Sequence, residues 1–291
     1  MIPRFALARP STIGEALAAY ADVGGDAAWY AGGTELLQVM KMGLARFGTL
    51  IDLKALPELR GIGVDDDGAL VIGAATTHRE IERSLVVARE LPALAGLEAD
   101  VANVRVRNQG TIGGNLCFAE PHSDPAALLF VCGAQARLRG PAGERDVPLD
   151  GFFVDPFVTA RSADEILVSI RVPAAALREG RAYEKAKFRE RPAVSVAVRL
   201  CVSDGAIADA EVVVGSMTDV PVRVPVAGEA LRGAPAEVSA LRESLAAGSA
   251  ALAELDAADD LDGSADYKRH LAGVLFGRAG RAALAEAMAR A

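Results

Sequence analysis

Cysteine is scarce in this 291-residue chain. Cys117, Cys132 and Cys201 are an odd number, and none is paired at CxxC spacing. That pattern excludes a disulfide framework and offers no zinc or iron–sulfur ligand set. Histidine is as rare: only His78, His122 and His270 occur, without an HExxH or another close histidine–carboxylate cluster. No metal site built by this chain is therefore expected. No apolar run approaches the roughly 18 to 20 residues that cross a membrane. The opening stretch, MIPRFALARPSTIGEAL, lacks the long apolar core of a secretory signal. Basic residues form no block and the net charge is −8, which argues against nucleic acid as a partner and mostly serves solubility. The chain reads as soluble and cytoplasmic.

What is present is a large apolar content, 51%, enough for one large domain or two to three small ones. STIGEALAAYADVG opens on Ser11 or Thr12 with Glu15 following, a capping box before an apolar helix that stops at Gly24-Gly25. AAWYAGGTELLQVMKMG predicts a short strand, a turn at Gly32-Gly33 and a helix over 34–41 that ends at Gly43. GTLIDLKAL is a short buried strand. GIGVDDDGALVIGAATT predicts a hairpin about Asp65-Asp66-Asp67-Gly68. Helices follow around 79–85 and 90–99. VANVRVRNQGTIGGN alternates and predicts extended chain, DPAALLFVCG a buried helix, and AQARLRGPAGERDVPL a second hairpin.

Beyond Pro173 the character shifts. RAYEKAKF, VSVAVRLCV and AIADAEVVVGSM predict a three-stranded antiparallel meander, and the alanine-rich remainder predicts helices at about 236–255 and from 265 to the end. The boundary falls near 175, with an α+β pattern on both sides rather than a doubly wound parallel sheet.

Two Gly-Gly turns carry the chemistry: Ala31-Gly32-Gly33-Thr34-Glu35 and Thr111-Ile112-Gly113-Gly114-Asn115. Paired glycines admit positive φ and leave no Cβ in a ligand's way. Successive N–H groups can converge on an anion, and a helix N-terminus adds partial positive charge. Two such turns can bracket one diphosphate without a lysine, although Gly-Gly also serves simple tight turns, and the chain has 29 glycines. Neither GxGxxG after a strand nor GxxxxGK[ST] is present.

AGGTELL and GTIGGNLCFAEPHSDPAALL, about 80 residues apart, closely resemble the two flavin-binding segments of the FAD-binding medium subunit of molybdenum hydroxylases. That family includes the carbon monoxide dehydrogenase flavoprotein and the flavin domain of xanthine dehydrogenase. The likeness extends to RFALARPSTIGEAL, DEILVSIRVP, YEKAKFRERPAVSVAV and SADYKRHLAGVLFGRA, and so spans nearly the whole chain. It implies an α+β fold. A two-part FAD-binding PCMH-type, vanillyl-alcohol-oxidase-like domain would occupy 1–175, with subdomains of about 1–55 and 56–175. A carbon monoxide dehydrogenase flavoprotein-type C-terminal domain of a three-stranded antiparallel sheet with a helical bundle would occupy 176–291.

By that resemblance Ala31, Gly32, Gly33, Thr34 and Glu35 would wrap the FAD pyrophosphate, and Thr111, Gly113, Gly114 and Asn115 would complete the clamp. Asp124, nine residues after Asn115, would lie by the ribityl and adenosine part. Leu167 would give a backbone contact to the ring, and Lys185 would stand close to the isoalloxazine, favouring its anionic reduced form. Plainer roles stand beside these: Asp124 as a helix cap, Leu167 as core, Lys185 on a solvated strand face. His122 reads as a surface or hydrogen-bonding residue and Cys117 as packing. Arg105 and Arg107 would face a partner subunit, the flavin phosphates or water. No covalent flavin attachment residue is identifiable, so the FAD is expected to be non-covalent.

The implied role is an electron-transfer subunit with no catalytic acid or base of its own. A large subunit would carry the molybdenum cofactor and a small one two [2Fe–2S] clusters, in a dimer of heterotrimers. NAD, oxygen or quinone would be the acceptor. The rival readings are a self-contained flavin-dependent dehydrogenase or oxidase, and a non-catalytic flavin-binding assembly or sensor protein.

Overall fold

The computed structural model describes residues 2–175 and 179–290. Its first sheet joins β1 (Ala6–Ala8), β2 (Ala27–Tyr30) and β3 (Thr49–Asp52), all parallel, in the order β1-β3-β2. Parallel neighbours need crossovers. The intervening chain supplies them as α1 (Ile13–Asp22) and α2 (Leu36–Met42). The Thr12 hydroxyl accepts from the Glu15 N–H at 3.1 Å, and the Glu15 carboxylate accepts from Ser11 N–H at 2.8 Å, so both residues named at the sequence level cap α1.

The second sheet is antiparallel. Its strands are β4 (Ile62–Val64), β5 (Leu70–Gly73), β6 (Gln135–Gly140), β7 (Gly143–Pro148) and β10 (Ile166–Val172), in the order β4-β5-β10-β6-β7. The hairpin of β4 and β5 turns where expected, with the Asp65 carboxylate accepting from the Asp67 and Ala69 N–H groups. A small hairpin, β8 (Phe153–Asp155) with β9 (Val158–Thr159), precedes β10. Between β5 and β6 run six helices: α3 (His78–Glu82), α4 (Leu85–Glu90), α5 (Pro92–Ala99), α6 (Val104–Gln109), α7 (Ile112–Phe118) and α8 (Asp124–Val131).

Here the sequence expectation fails. The stretch VANVRVRNQGTIGGN is two helices, not extended chain. Asn103 Oδ1 accepts from the N–H groups of Arg105 and Val106 at 3.0 and 3.2 Å, and Thr111 Oγ1 accepts from Gly114 N–H at 3.1 Å. Each polar side chain starts a helix. An alternation only four residues long does not separate a strand from one and a half helical turns.

The third sheet also exceeds its expectation. Strands β11 (Gly180–Lys187), β12 (Pro192–Ser203) and β13 (Ala206–Gly215) form the predicted meander, but a fourth, β14 (Val222–Arg223), pairs with β13. A two-residue strand is too short to leave a periodic signal. Helices α9 (Pro225–Leu231), α10 (Arg242–Leu252) and α11 (Ala265–Arg290) pack on one face, and a 3-10 turn at Val238–Leu241 takes the place of the first predicted turn of α10. On β12, Val194, Val196 and Val198 join the core under α11, while Ala197 joins the core built around α8. Burial on both faces explains why this strand reads as an unbroken apolar run. Among the described residues no helix is long and apolar enough to cross a membrane.

Candidate functional site

A cavity of about 520 Å³ is lined by the β2–α2 turn, the start of α7, the start of α8, the approach to β10 and the β11–β12 loop. The two glycine segments meet at its wall. A Cβ placed on Gly32 would lie 2.3 Å from the Gln109 carbonyl oxygen and 2.7 Å from Gly110 Cα, so only glycine permits this approach. Gly33 adopts φ 73°, in the left-handed region, with the Tyr30 ring where a side chain would begin. The N–H groups of Gly32, Gly33, Thr34 and Glu35 find no acceptor among the described residues. Four consecutive free donors at a cavity wall form a cradle for an anion.

The second segment is built differently from its expectation. Gly113 and Gly114 lie inside α7, not in a turn, and neither has positive φ. Gly113 N–H donates to Ala74 O at 2.9 Å and Asn115 N–H to Thr111 O at 2.9 Å, while Gly114 N–H goes to the Thr111 cap. These amides are spent inside the protein. The absent Cβ of Gly113 instead lets α7 lie against Ala74, 2.5 Å from where it would sit. Gly114 is the glycine that faces the first segment, its Cβ position 3.8 Å from Ala31 Cβ. Thr111, Gly113, Gly114 and Asn115 all line the cavity nonetheless, as do Ala31 to Glu35, Asp124 and Leu167.

Lys185 does not line it. Its ammonium donates to Asp124 Oδ1 at 2.7 Å and to Asp100 O at 2.9 Å. Nor does it lie on a solvated strand face, since the Lys185 side chain is 8% exposed. Asp124 sits at the first turn of α8, buried, and also accepts from the Tyr183 hydroxyl at 2.8 Å. Burial raises the Asp124 carboxyl above its usual range, and Lys185 opposes that rise. Burial and the Asp124 charge both drive the Tyr183 hydroxyl well above its ordinary value. Asp124 and Lys185 thus touch, and whatever one meets in the cavity the other influences.

Several groups escaped sequence reading. Arg191, in the β11–β12 loop, reaches Glu35 Oε1 at 2.9 Å and Glu120 Oε1 at 3.2 Å, strapping the third sheet to the first glycine segment. Arg161 spans the carbonyls of Ser162 and Glu165 at 2.8 and 2.7 Å at the approach to β10. His78 lines the cavity, and its Nδ1 lies 2.6 Å from Glu98 Oε2. The signal for that pair was a lone acid in the apolar run LPALAGLEA and a histidine directly after the capping Thr77. Arg107 binds Glu82 and the Val101 carbonyl, not solvent. His122 bonds Glu120 at 2.8 Å. Its ring approaches Asp260 and Asp262, but those carboxylates are already paired with Lys268 and Arg189.

Comparison with known proteins follows the same lines. Residues 3–175 match the FAD binding domain in molybdopterin dehydrogenase, and residues 181–283 match the CO dehydrogenase flavoprotein C-terminal domain. The carbon monoxide dehydrogenase medium chain of Hydrogenophaga pseudoflava is 37% identical over 97% of this chain and 98% of its own length. The xanthine dehydrogenase FAD-binding subunit of Escherichia coli O157:H7 is 30% identical over 80% of this chain and 81% of its own. A solved carbon monoxide dehydrogenase from Hydrogenophaga pseudoflava, lacking the Mo-pyranopterin moiety of its cofactor, superposes with a TM-score of 0.92 over 98% of this chain and 99% of that one, at 37% identity. By its two matched domains, its full-length relatives and its fold, the chain belongs to the FAD-binding medium subunits of the molybdenum hydroxylases.

Proposed function

We propose that this chain is the FAD-carrying electron-transfer subunit of a multisubunit molybdenum hydroxylase. The observation that carries the reading is the junction of Gly32 with Gln109 and Gly110, which leaves four unpaired N–H groups from Gly32 to Glu35 on the wall of a ligand-sized cavity. The residues fit the cofactor. An unpaired amide cradle suits a diphosphate, while Trp29, Phe47 and Phe118 give the same cavity apolar wall for ring systems. Bound FAD supplies the exchange between one-electron and two-electron carriers.

The chain's own groups position and enclose the cofactor. Backbone amides from Gly32 to Glu35 take the diphosphate, and Ala31 with Gly114 closes the opposite side. Thr111 and Asn115 hold the start of α7 in place, Thr111 as cap and Asn115 through a 2.6 Å bond from the Ser123 hydroxyl. Asp124 accepts from ligand hydroxyls while Lys185 keeps a cation beside it. The Leu167 backbone would contact the ring, and Arg191, paired with Glu35 and Glu120, would strap the cavity shut. On this reading 1–175 forms a vanillyl-alcohol-oxidase-like binding domain in two parts, and 176–291 a domain that covers it.

Electrons arrive from [2Fe–2S] clusters of a small subunit, supplied by substrate oxidation at a molybdenum cofactor in a large one, and leave to NAD, oxygen or quinone. The assembly is a cytoplasmic dimer of heterotrimers with non-covalent FAD. Purification of the native complex tests this. Two partner chains, one flavin per copy of this chain, and molybdenum and iron in the partners support it. Substrate turnover by this chain alone, without metal, contradicts it.

A further inference from the structure

We propose that His78, held by Glu98, is a further cofactor-binding residue of this cavity, and that its Nε2 is a hydrogen-bond donor to the dinucleotide. The proposal rests on the FAD reading above and adds a residue to it. His78 occupies the first position of α3, behind a capping box in which Thr77 and Glu80 bond each other's backbone N–H. That cap fixes where the imidazole projects. Its Nδ1 stands 2.6 Å from Glu98 Oε2 on α5, with the two side chains 3% and 0% exposed. A carboxylate can only accept, so Nδ1 carries the hydrogen. Nε2 is left as the free nitrogen, with no hydrogen-bond partner among the described residues, on a side chain that lines the cavity.

The neighbouring glycine keeps that edge bare. A Cβ on Gly110 would lie 3.1 Å from His78 Cδ2 and 3.5 Å from Nε2. Gly110 has φ −63° and ψ 140°, open to any residue, so its missing side chain serves space and not backbone freedom. Gly110 is also the residue against which Gly32 packs. The imidazole edge and the amide cradle therefore converge on one stretch of chain.

Charge points the same way. Glu98 Oε1 is buried with no hydrogen-bond partner among the described residues, so the carboxylate depends on its contact with His78 for compensation. Burial works against a charged imidazole, but the Glu98 carboxylate outweighs it, and the affinity of His78 for its second proton is raised. Asp124 on α8 adds to that rise and Arg107 on α6 opposes it. A doubly protonated ring donates from Nε2 as well as from Nδ1. Below its raised folded-state value the pair presents a cationic donor to the cavity, where a phosphate oxygen or a ring carbonyl of FAD is the matching acceptor.

The experiment is a fluorescence titration of full-length apoprotein with FAD between pH 6 and pH 9, for the wild type, His78→Phe, His78→Gln and Glu98→Gln, with circular dichroism confirming each fold. His78→Phe is expected to weaken FAD binding about tenfold or more, the loss of one charge-assisted hydrogen bond. His78→Gln, which keeps a donor without the charge, falls between. Glu98→Gln keeps the Nδ1 contact but releases the charge, so its affinity is expected to fall as pH rises through about 6.5, the ordinary imidazole range, while the fall in the wild type is displaced to higher pH. If both His78 variants bind like the wild type, the pair merely pins α3 to α5 and the proposal is overturned. Should His78→Phe fail to fold, a Glu98→Gln profile that falls at the same pH as the wild type overturns it equally. A wild type that takes up no FAD sinks the functional reading itself, a distinct result.

Discussion

Gly32 and Gln109, distant in sequence, are in contact such that a single added carbon on the first would stand 2.3 Å from the carbonyl oxygen of the second. The contact joins the two glycine segments into one wall. Gly32→Ala must push them apart, and overpacking of this kind costs about 1–3 kcal/mol. The variant is expected to melt at lower temperature and to purify with less flavin. Unchanged flavin content at unchanged stability would show that the junction is not needed.

Gly33→Ala tests the cradle separately. Its left-handed backbone alone costs an L-residue about 1–2 kcal/mol, and the Tyr30 ring lies where the Cβ would go. Gly43→Ala is the matched control, since Gly43 also has positive φ, has nothing within 4 Å and does not line the cavity. Calorimetry should find both destabilised, and equilibrium dialysis should find FAD affinity lowered only in Gly33→Ala.

Lys185→Met removes the cation beside a buried carboxylate. Breaking such a pair costs about 3–5 kcal/mol, and Asp124 would keep only the Tyr183 hydroxyl. Because burial already raises the Asp124 pKa, protonation relieves the uncompensated charge. Urea unfolding should therefore show a loss at pH 7.5 that shrinks by pH 5. A loss independent of pH would mean the lysine acts through packing alone.

The His78 pair sets a pH dependence of folding. The folded-state pKa lies above the unfolded value of about 6.5. Its stabilisation is thus complete below about pH 6.5 and is lost as pH rises through the folded value. The stability difference between wild type and His78→Gln should be greatest near pH 6 and shrink on the alkaline side, measured by urea unfolding of the apoprotein. A difference that grows with pH contradicts the ion pair.

Arg191→Ala separates enclosure from stability. Arg191 is half exposed, and exposed pairs contribute roughly 0–1 kcal/mol. The melting point should scarcely move, while FAD release, followed in stopped flow, should quicken. Equal release rates would remove the strap from the account.

Much of this architecture was legible because local rules agree with the fold. Thr12 and Glu15 mark the start of α1, Asp65 and Gly68 shape the β4–β5 hairpin, and the meander of β11 to β13 is patterned plainly. The misreadings have physical causes. Val104 to Gln109 is too short for its period to show, so two helices read as extended chain. The glycines of α7 suggested a turn, although Gly113 is there for the helix's approach to Ala74. Arg191 and Lys185 take their meaning from partners 156 and 61 positions away, Glu35 and Asp124, a relation no local pattern carries. His78 and Glu98 are joined by tertiary packing of α3 on α5, and each alone is an unremarkable polar residue.

On the proposed reading, main-chain N–H groups from Gly32 to Glu35 hold the diphosphate of FAD in this cavity. Backbone amide resonances of isotope-labelled apoprotein, followed during titration with FAD, test it most directly. One equivalent is expected to shift the amides of Gly32, Gly33, Thr34 and Glu35 together, with Gly114 responding across the junction. FAD binding that leaves those four amides unmoved would contradict it.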